Sequence, residues 1–182
     1  MVSLLAPRTW ESKSALRAHL DARGPHTLVV GLNAEAPRAY YSFSVASSRG
    51  QGEIGVISSG LGPDAAAVLM DSGRRVLVGH DTWVTWIDVE ALAVVTSRRL
   101  GGVFFDFLPV DREDEMVVLH ELGALCVDAN GAVNWSVDTD VVEDSSTDTK
   151  GNLVLSVMDG SRLVVSLASG TVSSSGMTPE RP

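Results

Sequence analysis

Between residues 26 and 58, and again from residue 74 onward, apolar residues fall in short runs separated by Gly, Pro, Asn, Asp and Ser. This is the pattern of strands joined by tight turns. His26 to Leu32, Arg38 to Val45 and Gly52 to Ser58 form the first extended segments, with turn residues at Asn33 to Pro37 and Ser47 to Gly50, and predict an antiparallel meander. Two stretches read differently. Thr9 to Ala22 contains no Gly or Pro, begins with a capping residue and stops at Gly24, and its Trp10, Ala15, Leu16 and Leu20 make one apolar face, so a helix is expected there. Pro63, Asp64 and Gly73 likewise punctuate a short second helix over 63–71.

From Arg74 the chain repeats. Val78 to Asp88 lies over Val118 to Asp128 without a gap at an offset of 40 residues, pairing His80-Asp81 with His120-Glu121. Val157 to Leu167 follows at an offset of 39, with Gly170 over Gly131, which sets Asp159-Gly160 against the His-acid pair. Ungapped offsets keep the alternation of strand faces in step. Units of about 40 residues with several short strands each are characteristic of repeated antiparallel sheets. Residues 74–175 then hold three repeats, residues 1–73 a helix, a meander and a short helix, and residues 176–182 a tail, all in a single domain over 1–182.

Composition sharpens this picture. Val fills 26 of the 182 positions, whereas Phe, Trp and Tyr together fill ten, so the core is built mainly from β-branched aliphatics. No apolar run reaches the ~18 residues of a membrane span, and the N-terminus has no signal-peptide pattern, so a cytoplasmic protein without membrane contact is expected. The lone Cys126 leaves neither an internal disulfide nor a cysteine metal cluster. Net charge is −9, and it is local: residues 106–149 carry −11, and the segments on either side +1 each. That acidity opposes binding of nucleic acid, which requires basic groups at phosphates.

The segment Leu125-Cys-Val-Asp128-Ala-Asn-Gly131-Ala-Val-Asn-Trp135 resembles the blade repeat of β-propellers of the quinoprotein-dehydrogenase-like type, in which a strand ends in Asp, turns at Gly and resumes with Trp four residues on. Asn130 stands where that repeat has Thr, and one residue fewer separates Asp128 from Gly131. The resemblance extends over residues 74–175. It implies blade geometry, and none of the quinone chemistry is carried over. The fold expected is mainly β, with repeated antiparallel hairpins arranged as an incomplete propeller or a two-layer sandwich, plus an N-terminal helix and one short internal helix.

Candidate chemistry is sparse. Gly60-Leu-Gly62-Pro-Asp-Ala65 imitates a dinucleotide-binding loop, with Asp81 about twenty residues on, but Pro63 removes one of the amides that would meet a pyrophosphate. Gly55-Val-Ile-Ser58-Ser59-Gly60 is one residue out of step with a nucleophile elbow. Asp138-Thr-Asp140-Val-Val-Glu143-Asp144 offers oxygen ligands without the central Gly of a calcium loop. His80-Asp81 and His120-Glu121 are the one constellation that repetition places on a common rim. No cofactor, metal or catalytic set is implied.

The function expected is a non-enzymatic protein-binding module, an adaptor or an inhibitor of the size of bacterial immunity proteins, with an acidic face for a basic protein partner. Asp111, Glu113, Asp114, Glu115, Asp138, Asp140, Glu143 and Asp144 are the candidate contacts, gathered in two loops that project to a common neighbourhood. Trp83 and Trp86 join them, and because they point to opposite faces of a strand one of them is exposed. The alternatives are a small metal- or His/carboxylate-dependent enzyme with its site near His80 and His120, and a structural subunit of a homo-oligomer.

Overall fold

The computed structural model describes residues 3–175 apart from Asn33, Glu35 and Asp71. Four sheets follow one another along the chain. The first contains β1 (Ser3–Leu4), β2 (Arg8–Trp10), β3 (Thr27–Val30), β4 (Ala39–Ser47) and β5 (Gly50–Ser58), with α1 (Lys13–Arg23) inserted between β2 and β3. The second is β6 (Ala66–Leu69), β7 (Arg75–His80), β8 (Trp83–Asp88) and β9 (Ala93–Arg99). The third is β10 (Phe104–Pro109), β11 (Glu115–His120), β12 (Gly123–Asp128) and β13 (Val133–Asp138); the fourth is β14 (Val142–Thr147), β15 (Leu153–Val157), β16 (Arg162–Val165) and β17 (Val172–Ser175). Sheets two to four are plain antiparallel meanders, as the repeat pattern requires.

The sheets stack through alternate faces of their strands. Val76, Val78 and Ile87 of the second sheet meet Tyr41, Phe43, Ile54 and Val56 of the first, while Leu77, Val84 and Trp86 on the opposite face meet Met116, Val118, Leu125 and Val127 of the third. Val117, Leu119, Ala124 and Cys126 then pack on Leu153, Leu155 and Val165 of the fourth. The inner strands are therefore buried at five of their six positions, with apolar residues through their centres. Their sequences read as continuous runs because both faces are covered.

Two indoles fasten neighbouring sheets. Trp86 Nε1–H donates to the Asp128 carbonyl at 3.0 Å, and Trp135 Nε1–H donates to the Leu167 carbonyl at 3.2 Å. The turn glycines lie against their surroundings: a methyl group on Gly170 would sit 2.6 Å from the Trp135 ring, and one on Gly131 would meet Thr96 Cγ2 at 2.7 Å while reaching the Trp86 ring only at an ordinary 3.6 Å. The positive φ of the two turns, +86° and +69°, favours glycine at both.

Several sequence expectations need correction. The helix starts at Lys13, capped by Ser12, whose side chain accepts from the Ala15 amide at 3.1 Å, and Thr9 and Trp10 belong to β2. Leu16 and Leu20 do form its buried face, against Ile57. The second helix is absent: Ala66–Leu69 pair with β7, and Asp64 accepts from the Tyr41 hydroxyl at 2.8 Å instead of capping. Pairing beside an apolar strand overrides helix punctuation in so short a segment. The meander is broken by β3, which runs parallel to β5 because α1 carries the chain across the sheet. Of the expected turn at 33–37, Asn33 and Glu35 lie outside the described residues, as does the tail from 176.

The first offset holds. Arg75 faces Asp88 and Glu115 faces Asp128, and both hairpins close through two-residue turns. The third hairpin closes instead through Met158, Asp159 and Gly160, and Val157 pairs with Val142 as His120 pairs with Phe104. Val157, and not Asp159, is thus the structural counterpart of His120. One extra residue in this turn and one more in the turn after β16, where Ser166 bonds to Thr171 as Asp128 bonds to Ala132, together restore the Gly131–Gly170 spacing downstream.

Replacement of Gly170 by Ala is expected to lower the urea-unfolding midpoint more than replacement of Gly160 by Ala. Both positions have left-handed φ, roughly 1–2 kcal/mol for an L-residue, but Gly160 has open space around it while Gly170 lies beneath Trp135. The overpacking adds about 1–3 kcal/mol. Equal midpoints for the two variants would show that the indole does not press on the turn.

Candidate functional site

The turn between β7 and β8 is built around a buried carboxylate. Asp81 sits at φ +46° and is 7% exposed. Its Oδ1 accepts from the Ser58 hydroxyl at 2.8 Å, the Ser59 hydroxyl at 2.7 Å and the Leu61 amide at 3.4 Å, and its Oδ2 accepts from the Ser59 amide at 3.0 Å. His80 Nδ1 lies 3.2 Å from Oδ2. Burial alone pushes the Asp81 carboxyl up, yet the donors from Ser59, Ser58 and His80 outweigh it and hold the group below the usual carboxylate range. An ionised carboxylate only accepts, so His80 Nδ1 carries the hydrogen. Burial lowers the basicity of His80, opposed by Asp81, and the ring is neutral with its Nε2 lone pair free of any partner among the described residues.

This network explains the Gly60 loop. The amides of Ser59 and Leu61, which a phosphate would require, already donate to Asp81, and no helix follows Pro63. The loop binds an anion, and that anion is the protein's own side chain. The Ser58 and Ser59 hydroxyls donate to this same carboxylate, which its donors make a weak base.

His120 occupies the equivalent place in the third sheet with different bonding. Its Nδ1 accepts from the Leu122 amide at 3.3 Å, which fixes the opposite tautomer. Burial lowers its basicity, with Asp138 and Glu121 acting the other way. The repeat thus brings both imidazoles to the same end of adjacent sheets without joining them: His80 lines a cavity that His120 does not touch. Among the described residues no three His, Cys, Asp or Glu side chains are arranged to hold a metal ion. Cys126 is buried, and desolvation together with Glu115 pushes its thiol up to about 12.

The cavity has a volume of about 790 Å³ and opens between the β3 edge of the first sheet and the β8–β9 side of the second. Arg38, Arg99, His80 and Trp83 are in its wall. Composition gave no sign of it, because its residues come from segments far apart in the sequence.

The acidic residues do not form one surface. Asp111, Glu113, Asp114 and Glu115 lie where β10 turns into β11, beside the Asp128 turn. Asp138, Asp140, Glu143 and Asp144 lie at the other end of the sheet, where Asp138 faces Gly123 and the Val142 amide bonds to the Glu121 carbonyl. The six residues of β11 hold the two groups about 17 Å apart. The expected convergence fails because an antiparallel strand separates consecutive loops to opposite ends. Within the first group Asp114 accepts from the Ser72 amide at 2.9 Å and Glu115 lies 3.5 Å from Arg112. Many of the other aspartates serve turns: Asp128 accepts from the Asn130 and Ala132 amides, and Asp148 from those of Lys150 and Asn152. Trp86 is wholly buried; Trp83 is 40% exposed.

Stacked four-stranded antiparallel sheets define a β-propeller-like protein, and comparison with known structures agrees. The dihydro-heme d1 dehydrogenase NirN in complex with DHE matches with a TM-score of 0.53 and 18% identity, covering 77% of this chain and 34% of that one. A chain of the mitotic checkpoint complex matches with a TM-score of 0.53 and 10% identity, covering 79% and 49%. The WD40 beta propeller domain of Doa1 gives 0.45 and 15%, covering 63% and 40%. The chain spans a third to a half of the length of these proteins. No family model and no curated protein matches the sequence.

The buried titratable groups fix a pH dependence. His80 and His120 are held below the ordinary histidine value of about 6.5, so below that pH the unfolded chain binds protons that the folded chain refuses, and stability falls. Asp81 and Glu53, held below the usual carboxylate value, contribute stability above about pH 4 that is lost as pH falls through their folded values. The urea midpoint is therefore expected to drop already between pH 7 and 5. His120→Asn, whose amide oxygen can still accept from Leu122, should flatten that part of the profile; an unchanged slope would exclude His120 as a source.

Proposed function

We propose that the chain is a non-enzymatic protein-binding module of the propeller type, and that its partner surface is the end of the third and fourth sheets carrying Asp138, Asp140, Glu143 and Asp144. The observation that carries this reading is that these four acidic side chains are exposed, fall within seven residues, and have no ion-pair partner among the described residues. Glu121 lies beside them through the Val142 amide, and the Met158 amide bonds to the Val141 carbonyl, which brings Asp159 to the same rim. Such a field favours encounter with a basic protein surface. The group at Asp111 to Glu115, at the far end and partly engaged internally, is left out of the interface.

We further infer a propeller of the quinoprotein-dehydrogenase-like type, supported by the Leu125 to Trp135 segment and by the indoles of Trp86 and Trp135 seated on the turns of the next sheet. An adaptor or inhibitor role suits a stack of sheets with no assembled catalytic set among the described residues.

A photoreactive amino acid at position 140 should crosslink a basic protein in the source cell, and one at position 111 should not. With the captured protein in hand, Asp138→Asn, Asp140→Asn, Glu143→Gln and Asp144→Asn together should slow association about tenfold or more at low salt and remove most of its salt dependence. Neutralising Asp111, Glu113 and Asp114 should leave both unchanged. Association insensitive to the first set would assign the acidity to solubility alone.

A further inference from the structure

The cavity beside His80 has features the protein-binding reading does not use. Its volume lies in the range of small-molecule sites, roughly 300–1,000 Å³. Nine large apolar side chains are exposed on the described surface, and four of them, Leu32, Leu61, Trp83 and Val94, line this one cavity. Scattered exposed aliphatics are ordinary on any surface, but four around one concavity mark a place where an apolar body is received.

Among the described residues its wall is net positive, with Arg38 and Arg99 against the one carboxylate of Asp81. Both arginines are exposed, and neither guanidinium has a hydrogen-bond or ion-pair partner among the described residues. The negative group nearby, Asp81, has both oxygens occupied by Ser58, Ser59, Leu61 and His80 and neutralises neither guanidinium. His80, 3% exposed, is held by Asp81 through Nδ1, and its Nε2 has no partner among the described residues. That nitrogen accepts a hydrogen bond and donates none. The walls therefore supply cationic forks, one buried acceptor and apolar area.

We propose that this cavity binds a small organic carboxylate with an aliphatic or aromatic body. Arg38 and Arg99 take the carboxylate, for which the planar guanidinium is suited by its paired donors. Trp83 and the aliphatics around it cover the body, and His80 Nε2 accepts from a hydroxyl or N–H on it. A phosphate ester fits less well. The backbone cradle it needs is consumed by Asp81.

Calorimetric titration of the full chain with octanoate, 3-(4-hydroxyphenyl)propionate and indole-3-acetate, each beside its primary amide, tests the assignment. At least one acid is expected to bind at one site per chain, with its amide tenfold or more weaker. Arg38→Gln together with Arg99→Gln should weaken that acid at least tenfold while leaving the weak amide binding and the thermal midpoint unchanged; both side chains are exposed, so the fold is not at stake. Arg112→Gln, on the loop at the far end of the third sheet, should change nothing. Absence of binding by all three acids, equal affinity for acid and amide, or full affinity in the double arginine variant overturns the proposal.

Discussion

The structure depends on the contact between successive sheets. A four-stranded meander buries little by itself, and here each one gains its core from its neighbours, through aliphatic side chains on both faces and, between the second and third sheets, an indole. Burial on both faces keeps the centres of strands β7, β11 and β12 apolar. It also requires something directional to fix how one sheet lies on another, since apolar area alone does not set a register. The indole N–H of Trp86 and Trp135, aimed at a single carbonyl across the gap and seated on a glycine, supplies it. At the opposite end the turn carbonyls of Asp81 and Glu121 accept from Phe104 and Val142, tying each turn to the first strand of the following sheet.

What could be read in the sequence follows from this arrangement. The offset of 40 was legible because two hairpins with turns of equal length keep their faces in phase, residue for residue, from Arg75 to Asp88 and from Glu115 to Asp128. The third hairpin carries one more turn residue and the turn after β16 another, so the match is shifted at Val157 while the later glycine falls back into step. Residues 63–71 were misleading because Pro63, Asp64 and Gly73 are helix punctuation in local terms, whereas the strand they frame is decided by its neighbour β7. The parallel β3–β5 pair has no local signature at all.

The site was legible only in fragments. His80-Asp81 stood out by repetition, but its meaning depends on Ser58, Ser59 and Leu61, some twenty residues earlier, which close on the carboxylate. The acidic segment was conspicuous as charge, and composition cannot separate an aspartate capping its own turn, such as Asp128, from one directed at solvent, such as Asp138. Strand direction decides the remainder: a six-residue β11 is enough to send two acidic loops to opposite ends of the molecule.

The order of the sheets has a mechanical consequence. The apolar clusters join the helix to the first sheet, the first to the second, the second to the third and the third to the fourth, so cohesion is transmitted along the chain as through links, with each link answerable only to its neighbours. Such a molecule has a gradient of persistence in place of a uniform one. The helix is packed on the first sheet through Leu16, Leu20 and the contact of His19 with Glu53, whereas among the described residues the fourth sheet shares an apolar cluster with the third alone. Amide protons of β15 and β16 should accordingly exchange with solvent sooner than those of β7 and β8.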